Sequence, residues 1–207
     1  MARLNYTQIE NYGNNNKSSF FGLRDDGDVA RVRFMYSGIE DVEGLAVHEV
    51  EVDGKRRYVN CLRDYNDPID SCPFCKSNKF QLAKLYIPLY DVTTGEVKVW
   101  ERGKKFFSQI SKLCSRYPNL CSYVFEIERC GKKGDTSTTY MFHEIQHDNT
   151  TLNDLPSVPN VVGTYVLDKT VEEMQTYLTT GSFDGASRSS EMPIRRRTPA
   201  TDRKEVF

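Results

Sequence analysis

The run DSCPFCKSNK, Asp70 to Lys79, sets Cys72 and Cys75 around a proline and a phenylalanine. Two chemistries use such a pair. A redox dithiol sits at a helix N-terminus, where the local field lowers the attacking thiol's pKa, and it is fed by an apolar strand. The preceding RDYNDPID, Arg63 to Asp70, is instead dense in Asp, Asn and Pro and reads as a loop. A structural zinc ion needs four nitrogen or sulfur donors in a tetrahedron. Cys61 lies eleven residues before Cys72 and His48 thirteen before Cys61, so His48, Cys61, Cys72 and Cys75 make a Cys3His set. That set predicts one structural Zn2+, with no coordination position left for a catalytic water.

A second pattern runs through the same region. Single strands of nucleic acid are held without sequence readout by cations for the phosphates and flat side chains for the bases. Here Lys55, Arg56 and Arg57 precede Tyr58, Arg63 precedes Tyr65, and Lys84 precedes Tyr86 and Tyr90. Lys98 and Arg102 flank Trp100, and Lys104 and Lys105 precede Phe106 and Phe107. Several of these rings are expected to fill the core, Phe106 first; Trp100 and Tyr65 are the best stacking candidates. Cys114, Cys121 and Cys130 read as buried thiols. His143 and His147 would share a face only in a helix, whereas their segment reads as a strand. No Ser-His-Asp order, phosphate loop or paired-carboxylate constellation is evident, so an enzyme is not expected.

These residues need a scaffold. VARVRFMY and LAVHEVEV alternate apolar and polar positions, and RRYVNCL follows the turn VDGK, which predicts three strands between Val29 and Leu62. A short helix is expected from Pro73 through PFCKSNKFQLAK. LYIPLYDV and EVKVWERG form a hairpin around TTG, and KKFFSQISKLCSRYP spaces Phe106, Ile110 and Leu113 as a helix. YVFEIERC and TTYMFHEI form a second hairpin around GKKGD, and VEEMQTYLTTG reads as a short amphipathic helix. The fold class is mainly β (α+β), compatible with a Greek-key barrel of the OB type carrying an inserted metal loop.

The 207 residues suffice for one domain: a flexible arm over 1–27, a core over 28–181 with a zinc subdomain at about 48–83, and a disordered tail over 182–207. The N-terminus has no apolar core of signal-peptide length, and no run of eighteen apolar residues exists, so a cytoplasmic protein without a membrane partner is expected. Net charge is −1, yet Asp53 to Arg116 holds 13 Lys and Arg against 7 Asp and Glu, a net of +6 hidden by acidic flanks. The end from Arg188, with its Arg195–Arg197 triplet, is net +3 and reads as a solvated tail.

With the Cys3His set, the DSCP-x-C element and the run VKVWERGKKFFSQI in view, the chain resembles, over roughly Val29 to Ile145, the single-stranded DNA-binding (helix-destabilising) proteins of T-even bacteriophages. The resemblance implies an OB-fold core, zinc held by His48, Cys61, Cys72 and Cys75, and coating of single-stranded DNA in phage DNA replication, recombination and repair in the infected bacterial cell. It also implies as partners further copies along the strand and phage replication or recombination proteins. The chain departs from the family at both ends. A basic N-terminal motif is reduced to Arg3, and the acidic tail is replaced by a basic one. The Cys61–Cys72 interval is one residue longer than the family's. The alternative reading is a zinc-stabilised module that binds RNA or a host protein.

Overall fold

The computed structural model describes residues 20–135 and 137–185. The alternating runs form seven antiparallel strands: β1 (Val29–Phe34), β2 (Glu43–Val52), β3 (Lys55–Asn60), β4 (Gln81–Asp91), β5 (Glu96–Gly103), β6 (Tyr123–Cys130) and β7 (Thr139–His147). The helices that bear on the site are α1 (Pro73–Lys76), α2 (Phe107–Arg116) and α3 (Val171–Thr180).

β4 organises the sheet. One of its edges pairs with β5 over Lys84–Asp91, so β2 and β1 must share the other. β2 takes the stretch that ends at Tyr86, and β1 takes over at Leu89. Pro88, which has no N–H to donate, falls at this handover, where its carbonyl accepts from Met35 N–H at 3.0 Å. The path runs β3-β2-β4-β1-β6-β7, and among the described residues no ladder joins β3 to β7. The sheet is therefore mainly antiparallel and open as hydrogen-bonded.

Both faces are covered. The main core gathers Val32, Phe34, Leu85, Ile87, Trp100 and Phe125 under Ile110 and Leu113 of α2. On the opposite face Val47, Tyr58, Tyr86 and Val99 lie beneath the segment Val161–Val166. A third cluster joins Val50 and Val59 to Cys72, Phe74, Cys75, Met174 and Tyr177. Full burial of such a side chain stabilises by about 1.5–3 kcal/mol, which makes α3 part of the metal module. α3 begins with a Thr170/Glu173 capping box, ends at Gly181 with φ 78°, and ties its Tyr177 hydroxyl to both backbone groups of Glu51 at 3.1 Å.

Three boundaries shift. Residues 20–27, assigned to the arm, belong to the body: Phe21 is buried against Trp100, with ring centroids 5.3 Å apart. The helix from Pro73 is a single turn. Asn78 adopts φ 58°, and the N–H groups of Asn78 and Lys79 turn back onto Cys75 and Phe74, which frees Gln81 to begin β4. Phe183, assigned to the tail, stacks on Tyr177 at 4.6 Å. The arm's residues 1–19 and the tail from 186, including the arginine triplet, lie outside the described residues. Among the described residues no helix is long and apolar enough to cross a membrane.

Candidate metal centre and adjoining groove

β2 is flanked by β3 and β4, so His48 at its middle is fully buried. Cys61 follows β3 and is held by its own N–H on the Ala46 carbonyl at 2.9 Å. Cys72 and Cys75 bracket the first turn of α1, where Pro73 supplies a preset φ at a position that needs no donor. The four ligand atoms lie within 4.8 Å of one another. His48 Nε2 is 3.5 Å from both Cys72 Sγ and Cys75 Sγ, and Cys61 Sγ is 3.6 Å from Cys75 Sγ. A tetrahedron with metal–sulfur bonds of about 2.3 Å and a metal–nitrogen bond of about 2.0 Å has S···N edges of roughly 3.5 Å and S···S edges of roughly 3.8 Å. These three separations match those edges, so the cluster could hold a metal ion.

The protonation chemistry points the same way. Burial lowers the His48 pKa, against opposing backbone groups of Phe80 and Lys79, which favours the neutral imidazole a ligand requires. Cys72 is pushed up by burial, but the backbone groups of Cys75, Leu62 and Phe74 outweigh that and lower it. Cys75 is pushed up to about 12 by burial, then by Cys61 and Cys72. Three thiolates gathered here would repel one another, and a bound cation would relieve that repulsion. Gln81 Nε2 donates to Cys61 Sγ at 3.1 Å, supporting the ligand from outside the cluster. Among the described residues this is the only such group of metal-ligating side chains. Cys121 is buried, Cys114 and Cys130 are half-buried, and His143 and His147 stand exposed on β7.

Beside the metal module the sheet carries a groove of about 1560 Å³. It exists because the floor is small: Gly44 faces Leu85 in register, Ala46 faces Ala83, and all but Leu85 are solvent-exposed. One wall is the metal side, with Cys61, Arg63, Tyr65 and Phe80; the other holds Arg102, Lys104, Lys105, Phe106, Arg129 and Tyr140. Tyr65 is 95% exposed and Phe80 79%.

Of the residues expected to contact a strand, Arg63, Tyr65, Lys84, Arg102, Lys104 and Lys105 come together in this groove. Lys84 is already committed, to Glu101 at 2.8 Å and over the Tyr58 ring at 4.5 Å. Trp100 is a correction: it is 1% exposed, wedged among Phe21, Phe106 and Tyr140, and offers no face to a base. Tyr58 and Tyr86 are likewise buried. Lys98 is ion-paired with Asp91 at 2.6 Å. Tyr90 is half-buried and Phe107 exposed, both outside the groove lining. Lys55, Arg56 and Arg57 are exposed on the β2–β3 hairpin; Arg56 and Arg57 line a separate cavity of about 390 Å³. Phe80, Arg129, Tyr140 and Gln109 were not anticipated. Phe80 alone left a signal, an aromatic directly after the knuckle where a loop has no core to enter.

No protein-family model matches the chain, and no curated protein matches it.

Proposed function

We propose that the chain binds single-stranded DNA without reading its sequence, through the groove between the metal module and the α2 side of the sheet. The observation that carries this reading is the pair of exposed rings, Tyr65 and Phe80, set in one groove with the cations Arg63, Lys104 and Lys105. Base stacking contributes about 1–3 kcal/mol per base, and phosphate neutralisation adds a salt-dependent increment. Duplex DNA hides its base faces, so such a groove favours single strands and draws melted regions open without nucleotide hydrolysis. No catalytic step belongs to this reading.

The ion is zinc, one per chain, held by His48, Cys61, Cys72 and Cys75; its donor set of three sulfurs and one imidazole suits zinc. Bound there, it cross-links β2 to the loop that carries Arg63 and Tyr65. An OB-type barrel, closed by side-chain packing between β5 and β7 instead of by a ladder, is the fold variant this reading adopts. Coating of single strands in phage replication, recombination and repair follows from the resemblance carried by the Cys3His set and GKKFF.

The test is anisotropy of a fluorescent oligothymidylate, with duplex and oligouridylate as competitors, at several salt concentrations. The expected result is preference for single-stranded DNA and an affinity that falls steeply with salt. Equal affinity for duplex, or no salt dependence, refutes the proposal. Preference for oligouridylate would turn it toward RNA.

A further inference from the structure

Two guanidinium groups converge on one phenol in the wall of the groove. Arg102 donates from Nη2 to Tyr140 Oη, and Arg129 Nη1 donates to the same oxygen at 3.3 Å. Arg102 lies over the Trp100 ring at 4.4 Å and the Tyr140 ring at 4.5 Å, two rings set almost perpendicular at 88°. Packing in the corner between the two rings fixes its fork. The other hydrogen bonds of Arg129 go to uncharged acceptors: the carbonyls of Leu23, Gly131 and Lys132, and Thr138 Oγ1.

Among the described residues neither arginine has a carboxylate partner in an ion pair. Glu101, next in sequence to Arg102, points to the opposite sheet face and is taken by Lys84. Arg102 Nε is buried without any hydrogen-bond partner. Two like charges held close and part-buried, with no carboxylate in direct contact, favour an anion beside them. The Tyr140 hydroxyl, accepting from both guanidiniums, keeps its own proton free to donate. Arg102, Arg129 and Tyr140 all line the groove, with Lys104 and Lys105 on the same wall.

We infer that Arg102 and the Tyr140 hydroxyl form a fixed socket for one phosphodiester of the bound strand, setting its register against the exposed rings across the groove. Arg129, whose five N–H groups are all engaged, braces the phenol and adds its charge. This inference rests on the strand-binding reading above and adds a division of labour to it. The lysines screen phosphates as mobile point charges, whereas the socket grips one phosphate in a defined geometry.

The protein carries its own reporter, because Trp100 is its only tryptophan and lies directly under Arg102. The probes are oligothymidylate and an abasic deoxyribose-phosphate oligomer of equal length, added to the full chain. Tryptophan emission is expected to respond to both, since the socket needs no base. Arg102→Gln should weaken both ligands about tenfold, the loss of one charge-assisted contact, and should make the slope of log affinity against log salt shallower by about 0.7. Tyr140→Phe, which keeps the ring and the packing, should weaken both ligands with the salt slope unchanged, and Arg102→Lys should recover the slope but not the affinity. Oligothymidylate binding by Arg102→Gln and Tyr140→Phe with wild-type affinity and slope overturns the socket and leaves the strand-binding reading standing. Failure of the wild-type chain to bind oligothymidylate by anisotropy overturns that reading, and a strand phosphate as the socket's ligand with it.

Discussion

Tyr65 and Phe80 are so exposed that truncating them removes almost no packing, which makes them clean probes of stacking. Tyr65→Ala and Phe80→Ala are each expected to cost about 1–3 kcal/mol of strand binding, roughly 5- to 150-fold in affinity, with an unchanged thermal midpoint; anisotropy and a melting curve check the two halves. Trp100 shows why such residues are hard to pick from sequence. In VKVWERG the alternation puts Trp100 with Lys98 and Arg102, which reads as a polar face. β5, however, is covered on both sides, Val99 by the Val161–Val166 segment and Trp100 by the main core, so alternation does not separate inside from outside. Arg33 and Asp148 carry a different residue-scale consequence. The Arg33 side chain is 9% exposed and pairs with Asp148, whose carboxyl is held well below the ordinary range by hydrogen bonds from Arg33 and then Thr150. A depressed carboxyl pKa contributes stability that is full above the unfolded value of about 3.9 and is lost as pH falls below it. Asp148→Asn should therefore lower stability at pH 7 by about 2 kcal/mol, less than the 3–5 of a fully buried pair because Asp148 is 29% exposed. The gap from wild type in urea melts should close as pH drops below about 4.

The metal module is the element whose stability depends most on something other than burial. Its apolar contents are few: Val50, Val59, Phe74, Met174 and Tyr177 around the ligands. Without an ion, His48 and three sulfurs stay crowded in the middle of that small cluster, and metal binding at such sites is coupled to folding. Chelation should thus raise hydrogen exchange in β2, α1 and α3 while β1, β6 and β7, which pack in the main core, keep their protection; uniform loss of protection or none would contradict a local role. Cys75→Ser should reproduce the chelated pattern and abolish retention of the metal. Much of this element was legible in the sequence. The ligand spacing, the strands between Val29 and Leu62 and the short amphipathic helix over VEEMQTYLTTG each rest on local rules. The one-turn length of α1 was not, because it is set by Asn78 turning the chain back in a left-handed conformation. Nor was the docking of α3 on Phe74, a contact between residues about a hundred positions apart that no local pattern encodes.

At the scale of the whole molecule the groove depends on what is missing from it. Gly44, Ala46 and Ala83 are unremarkable in sequence and become a floor only when β2 and β4 pair in a register that sets Ala46 against Ala83. That is why the cations were legible but their assembly was not: the +6 stretch gives the composition, and only the ladder decides that Arg63 and Lys104 share a groove while Lys55 and Lys98 do not. Filling the floor with Ala83→Trp should block binding and leave the fold intact, since this side chain points to open solvent. The number of cations on the walls fixes the salt response. Arg63, Arg102, Lys104, Lys105 and Arg129 line the groove without a carboxylate partner among the described residues, whereas Lys84 is neutralised by Glu101. Each phosphate neutralised on a single strand contributes about −0.7 to the slope of log affinity against log salt, so four or five contacts predict a slope of about −3 to −3.5. A slope near −1 would mean that most of these cations never meet a phosphate. One much steeper than −3.5 would require charges beyond the groove, and the tail cations from Arg188 onward, Arg195 to Arg197 among them, are the first to delete: if they supply the excess, a chain ending at Gly185 returns to the groove's own slope, and the hairpin cations Lys55 and Arg57 are excluded as its source.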